Sequence, residues 1–386
     1  MKQVDVVVIG LGIMGAAVSW RLAKAGARVL AVEAGTPYHE AGSSHGASRI
    51  FRRAYWEGST YSALLDLAHR GWTELQECTG SPLLFPSGGL YIGTTSADMV
   101  AGSVRTAVTA GVPHACWDAG QLQRRVPQFA IAEGMHALHE PGAYVIAAKQ
   151  ALQQMLEEAS ARGALLRYSD AVVRLHSEGD GVAVTLASGG EVHAASAVVT
   201  AGPWQAKKLL PELAAWLKPC RIPVYWFQPK QGHEENFHVA SFPLFLYECG
   251  DGALLYGIPA GMPGETGVKI GLHNRQLEPS DPDTPGSGSV PPDFHADIAR
   301  RVTAVLPGLA ATPERAKWCW YTMTPDESFI LGASLQKPHV FHASACSGHG
   351  FKFAPAVGEV MAAMALAKPL PVDIACYAVQ RFTQRG

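Results

Sequence analysis

Val4 to Ile9 is a short, mostly β-branched run, and Gly10-Leu11-Gly12-Ile13-Met14-Gly15 follows it at once. A helical pattern from Ala16 to Lys24 comes next and Gly26 ends it; Arg28 to Val32 then makes a second apolar strand ending at Glu33. Near-continuous apolar runs suit parallel strands buried on both faces, so the segment predicts a β-α-β unit. Gly10 permits the tight turn and Gly12 lets backbone N–H groups approach a pyrophosphate. Gly15 allows close helix–strand contact, and the helix N-terminus favours the anion. Glu33 stands 18 residues after Gly15, where a carboxylate can accept hydrogen bonds from ribose hydroxyls. A glycine motif alone is weak, but strand, helix and terminal acid together predict a dinucleotide site. The acid disfavours a 2′-phosphate, which points to FAD or NAD rather than NADP.

The remainder of the chain narrows the class. Its 386 residues suit two intimately connected domains with a sizeable core. Charged residues make up 17% and the net charge is −2, with no basic stripe for nucleic acid and no like-charge run. Met1-Lys2-Gln3 lead directly into the first strand without a signal-peptide layout, and no apolar run reaches the roughly 18 residues a membrane helix needs. The seven cysteines (78, 116, 220, 249, 319, 346 and 376) are scattered, odd in number and without CxxC. That pattern argues against a disulfide framework or a metal site and for a reducing cytoplasm.

Periodicity predicts helices over 59–77 and 148–162, short strands from Pro82 to Ile92, and alternating strands at 170–176 and 182–187. The run Ala197-Val198-Val199-Thr200-Ala201-Gly202 reads as a later strand of the dinucleotide sheet, with Gly202 touching the cofactor. Residues 221–273 look mostly β, 277–292 read as an exposed loop, and strands at Phe329–Leu331 and Val340–Ala343 precede a final helix from Ala356 to Leu366. The expected fold is mixed α/β. A Rossmann-like dinucleotide-binding domain is assembled from 1–85, 140–215 and 310–386, and a mostly antiparallel substrate domain from 86–139 and 216–309.

Three segments carry the chemistry: Ser44-His45-Gly46-Ala47-Ser48-Arg49-Ile50-Phe51-Arg52, Trp318-Cys319-Trp320-Tyr321-Thr322 and Ser347-Gly348-His349-Gly350-Phe351-Lys352-Phe353. With the N-terminal unit, and in this order, they resemble the monomeric sarcosine oxidase family, which includes N-methyltryptophan oxidase. The resemblance runs from Val4 to about Met364. It implies a monomer that oxidises secondary amines of small amino acids with FAD and passes the electrons to O2. Cys319 falls on the family's flavin-linking cysteine, with Cys346 a weaker candidate. His45, Ser48 and Arg49 match residues near the flavin, and Gly348 and Gly350 match its binding loop.

The same resemblance makes Arg52 and Lys352 the residues that hold the substrate carboxylate, a guanidinium fork and an ammonium point charge. Arg53 reads as a solvated neighbour. Lys269 aligns with the family lysine that promotes reaction with oxygen, since an ammonium stabilises a developing superoxide. His273, four residues on and on the same strand face, matches an active-site position, as do Tyr256 and Tyr321. The chain departs from the family in places. Ser48 stands where threonine is frequent, and Leu246 or Tyr247 where a methionine lines the substrate pocket. The stretch between Tyr256 and Lys269 is slightly longer, and Ile222-Pro223 follows Arg221 where relatives are more polar. These positions shape the amine site, which leaves cyclic imino acids and glycated amino acids as alternative substrates and a dehydrogenase as an alternative activity.

Overall fold

In the computed structural model, which describes residues 4–383, Val4–Ile9 is the centre of a parallel sheet. It pairs with Val29–Val32 on one side and Glu191–Val199 on the other. Leu165–Arg167 extends the sheet beyond Val29–Val32, and Val340–Ser344 lies beside the C-terminal half of Glu191–Val199. Val172–Glu178 and Gly181–Leu186 add an antiparallel hairpin, and Ile330–Ala333 pairs with Val340–Ser344. Central position explains the nearly continuous apolar run of the first strand, interrupted by Asp5. Val6 and Val8 face the helices, while Val7 and Ile9 enter a second cluster with Val184, Leu210 and Leu213. Met1–Gln3 lie outside the described residues.

The helices Ile13–Lys24, Ala148–Ala161 and Ala354–Ala365 cover the Val6/Val8 face. The first begins one turn before the expected Ala16, because Ser44 Oγ accepts the Ile13 N–H at 2.9 Å and the Gly12 carbonyl accepts the Ala16 N–H at 2.9 Å. Where Ile13–Lys24 crosses Ala354–Ala365, a Cβ on Gly358 would lie 2.7 Å from the Ala17 backbone. That crossing is therefore set by the missing side chain.

The second sheet runs Lys218–Phe227, Val268–His273, Leu254–Ile258, Leu244–Glu248, Gly89–Thr94, Met135–Glu140 and Ala115–Asp118. All these neighbours are antiparallel except Leu244–Glu248 with Gly89–Thr94. A small third sheet joins Ser48–Phe51, Tyr144–Ala147 and Leu84–Pro86. One stretch departs from the expected division. The sequence pattern assigns Arg315–Met323 to the dinucleotide-binding portion, whereas in the structure it pairs with Lys218–Phe227 over its whole length, Ile222 facing Cys319. The outer edge of Lys218–Phe227 would otherwise present a row of unpaired backbone groups, and an edge strand binds whatever complementary strand reaches it. The helices Asp98–Thr109, Ala119–Arg125 and Pro292–Val305 were also not expected from the sequence pattern. Among the described residues, no helix is long and apolar enough to cross a membrane.

Replacing Gly358 by valine should force the two helices apart and cost about 1–3 kcal/mol, the usual penalty for overpacking a core. Urea denaturation measures this; an unchanged midpoint would contradict the close crossing.

Candidate active site

A cavity of about 1150 Å³ lies between the two sheets and takes its lining from both. It exceeds the roughly 300–1,000 Å³ of most small-molecule sites, leaving room for a dinucleotide and a small second molecule. The glycine turn forms one part of its wall. Gly10 has φ +93°, and a Cβ there would lie 2.7 Å from the Thr200 carbonyl oxygen; one on Gly12 would meet Ser44 Oγ at 3.0 Å. Glu33 is held rigidly: Leu11 N–H donates to Oε2 at 2.8 Å, Gly35 N–H donates to Oε1 at 2.9 Å, and His39 Nε2 lies 3.2 Å from Oε1. A side-chain-free turn, a helix N-terminus and an oriented carboxylate fit the pyrophosphate and ribose of FAD. Of the expected residues, Gly15 is off the cavity wall, as is Tyr247, which packs into the core and leaves Leu246 as the lining residue. A Cβ on Gly15 would sit 1.8 Å from the Gly10 carbonyl oxygen, so this glycine serves the helix–strand contact. Gly202, Gly348 and Gly350 all line the cavity.

Farther along, Val268–His273 presents Lys269, Gly271 and His273 on one face, as strand periodicity requires. Tyr256 sits opposite Gly271 on the neighbouring strand, and a Cβ on Gly271 would lie 2.6 Å from its hydroxyl. Lys269 is buried and donates to the Ser48 carbonyl at 3.2 Å, with Glu265 Oε1 at 3.7 Å. Arg49 is pinned by carbonyls, donating to Ser48 at 2.8 Å, His45 at 2.7 Å and Ser43 at 3.0 Å. On Arg315–Met323, alternation turns Lys317, Cys319 and Tyr321 to the same side, and all three line the cavity. Cys319 is buried, and like every cysteine among the described residues it is free of disulfides.

The last part of the wall holds two buried cations. Arg52 is 4% exposed; it donates to Glu57 Oε1 at 2.5 Å and to the Ala54 carbonyl at 3.3 Å, with its guanidinium 4.3 Å from the centre of the Tyr55 ring. Lys352 is 6% exposed and donates to the His349 carbonyl at 2.7 Å. Tyr55 hydrogen bonds His349 Nδ1 at 2.6 Å, tying the loop after Phe51 to the Ser347–Phe353 loop. Leu246 and Trp56 supply apolar walls, the indole edge-on to His273 at 6.3 Å. Arg53 turns away from the cavity to pair with Asp66, so it is more than a solvated neighbour.

Burial tunes these groups apart. It lowers Lys352 to about 7, helped by Arg52 and opposed by Glu57. It lowers Lys269 to about 8 against the pull of Glu265. His45 falls to about 3 through burial, Arg49 and Lys317, and burial takes His273 to about 4 and His349 to about 3. The three imidazoles are thus neutral at pH 7. Burial raises Tyr256 and Tyr321, which remain phenols able to donate hydrogen bonds. Burial disfavours a charged Glu57, but Arg52, His349 and Lys352 outweigh it and leave its carboxyl below the usual range.

Sequence reasoning missed Glu57, Glu265, Tyr55 and His349. Glu57 follows Arg52 by five residues in an irregular segment, and Glu265 stands in a glycine-rich turn, where carboxylates are ordinarily solvated. Glu57→Ala should leave Arg52 as a buried charge without its carboxylate and cost about 3 kcal/mol in urea denaturation. A variant as stable as the parent would show that water or another group replaces that partner.

Comparison with known proteins agrees with this geometry. Residues 5–364 match the family described as FAD dependent oxidoreductase. Monomeric sarcosine oxidase of Streptomyces avermitilis is 34% identical over 363 residues, covering 94% of this chain and 93% of the relative. N-methyl-L-tryptophan oxidase of Yersinia pestis is 32% identical over 379 residues, covering 98% and 99%. Two solved structures share the fold: NikD, an amino acid oxidase of nikkomycin biosynthesis (TM-score 0.82, 24% identity, 98% of each chain), and L-proline dehydrogenase of P. horikoshii (TM-score 0.82, 20% identity, 99% and 98%). A full-length match of sequence and fold leaves one assignment: the chain belongs to the FAD dependent oxidoreductases, among the flavoprotein amine oxidases of the sarcosine oxidase type.

Proposed function

We propose that the protein oxidises a secondary amine, an N-methyl or otherwise N-substituted amino acid, to an imine that hydrolyses, with O2 reduced to hydrogen peroxide. The observation that carries this reading is the buried pair Arg52 and Lys352, on the wall of the same cavity as the glycine turn, Glu33 and Cys319. FAD, when bound, supplies the two-electron chemistry, taking a hydride equivalent from the carbon beside nitrogen and returning the electrons to oxygen. Gly10, Gly12 and Glu33 would hold its nucleotide half, and Cys319 would tether the ring system through a thioether.

Arg52 and Lys352 would clamp the substrate carboxylate, Arg52 exchanging some of its contact with Glu57 for the ligand. With His273 and His349 neutral and Tyr256 and Tyr321 un-ionised, the amine end of the pocket carries donors and acceptors rather than further cations. That environment favours an amine bound in its neutral form, whose lone pair assists hydride loss, so no protein base is required. Lys269, a buried ammonium on the cavity wall, would stabilise the anion formed as oxygen accepts its first electron. Seven unpaired cysteines support a reducing cytoplasm, and the name monomeric sarcosine oxidase of one relative supports a monomer.

The direct test is anaerobic mixing with a panel of amino acids while the flavin absorbance is followed. N-methyl amino acids should bleach it and their primary counterparts should not. Bleaching confined to cyclic imino acids or to glycated amino acids would put those alternatives in place of N-methyl amino acids, and bleaching by primary amino acids alone would overturn the substrate class. A second expectation follows from Lys352. Its ammonium is charged below about pH 7 and loses its proton above it, so a carboxylate inhibitor should bind more tightly at pH 6 than at pH 8. The change should approach about tenfold, and Lys352→Met should weaken binding and flatten the profile. An inhibitor constant that ignores pH would remove Lys352 from the clamp.

A further inference from the structure

Glu265 is a buried carboxylate on the cavity wall that the proposed reaction does not use. Its side chain is 5% exposed, in the turn just before Val268–His273. Ser48 Oγ donates to Oε2, and Ala47 N–H donates to Oε1 at 3.4 Å. Those bonds anchor the carboxylate to the start of the strand Ser48–Phe51. Lys269 Nζ lies 3.7 Å from Oε1 while donating to the Ser48 carbonyl at 3.2 Å. Ser48 therefore holds both partners, one through its hydroxyl and the other through its carbonyl, which fixes how far apart they stand. A buried ammonium with no opposite charge nearby is costly and sheds its proton instead.

We propose that Glu265 is the counter-ion that keeps Lys269 protonated and aimed into the cavity, a positioning residue for the step in which electrons pass to oxygen. The inference rests on the reading of Lys269 given above. The other groups facing Lys269 do not replace Glu265. Arg49 and Arg315 are cations that disfavour its charge, and the Cys319 thiol favours it only when ionised. His45 is neutral, and the Trp226 ring, 5.6 Å away, adds a modest cation–π attraction. Once Cys319 is engaged in a thioether, Glu265 is the one anion left in this set. Glu265→Gln keeps the shape and removes the charge, so Lys269 should lose its proton at lower pH than in the parent.

The experiment uses the FAD-loaded protein and two measurements across pH 6–9: the rate at which the reduced protein reacts with oxygen, and the dissociation constant of sulfite, a small anion probe that needs no turnover. In the parent both should weaken as pH rises through the titration of Lys269. In Glu265→Gln that transition should move down by about one unit or more, so that at pH 8 both are about fivefold poorer or worse while the two proteins converge towards pH 6. Glu265→Asp, with a shorter reach, should shift the transition in the same direction by less, and it carries the test if the glutamine variant does not fold. Transitions unchanged in both variants, or faster reaction with oxygen at every pH, would overturn the proposal. Lys269→Met is measured alongside. If it leaves the oxygen rate unchanged, the reading of Lys269 falls and this inference falls with it. If it slows the rate while the glutamate variants titrate like the parent, only the role of Glu265 falls.

Discussion

Thr322 is the stitch on which the arrangement of the site depends. Its N–H donates to Cys346 Sγ at 3.2 Å, and its carbonyl accepts the Ser347 N–H at 3.1 Å. The first residue belongs to a strand of the second sheet, whereas Cys346 and Ser347 follow directly on Val340–Ser344 of the first. Two hydrogen bonds thus join the halves where Cys319 and Tyr321 face the Ser347–Phe353 loop. Gly348 has to be glycine there: its φ is +83°, and a Cβ would lie 2.4 Å from the Tyr321 ring. Loosening this contact would separate the proposed tether from the proposed carboxylate clamp, although neither Thr322 nor Ser347 reacts with anything.

Electrostatics then divides the cavity by function. Arg52, Lys269 and Lys352 are each 6% exposed or less, and removing such charges from water is unfavourable without partners. Glu57 answers Arg52 at one place and Glu265 answers Lys269 at the other. Lys352 has only carbonyl and phenol oxygens within hydrogen-bonding reach, which is why burial moves it to about 7. It is the cation with most to gain from an incoming carboxylate. The histidines answer the same pressure differently, by staying neutral.

Much of the fold was legible because its signals are local. Val4–Ile9, the glycine turn and Glu33 lie within one short stretch, and the structure folds it into the expected strand, turn and helix with Glu33 at the end of the second strand. The Ser44–Arg52, Cys319–Tyr321 and Ser347–Phe353 segments could be brought to one site only through resemblance, since no periodicity links residues so far apart in the chain. Pairing partners were the weakest part. Arg315–Met323 has an alternating pattern that suits either sheet, and only the open edge of Lys218–Phe227 decides between them. Glu57 and Glu265 were missed for a related reason. A carboxylate in a glycine-rich or irregular stretch looks solvated until the tertiary fold buries it beside a cation. Gly15 was right in chemistry but belongs to packing rather than to the cavity wall.

The most direct test of FAD held in this cavity and tethered at Cys319 is acid precipitation of the purified protein, with absorbance read in pellet and supernatant. The expected result is flavin retained in the pellet of the parent and lost from that of Cys319→Ala. Flavin released to the supernatant by the parent would contradict the tether and remove the main role given to Cys319, and a protein carrying no flavin would contradict the reading of the cavity itself.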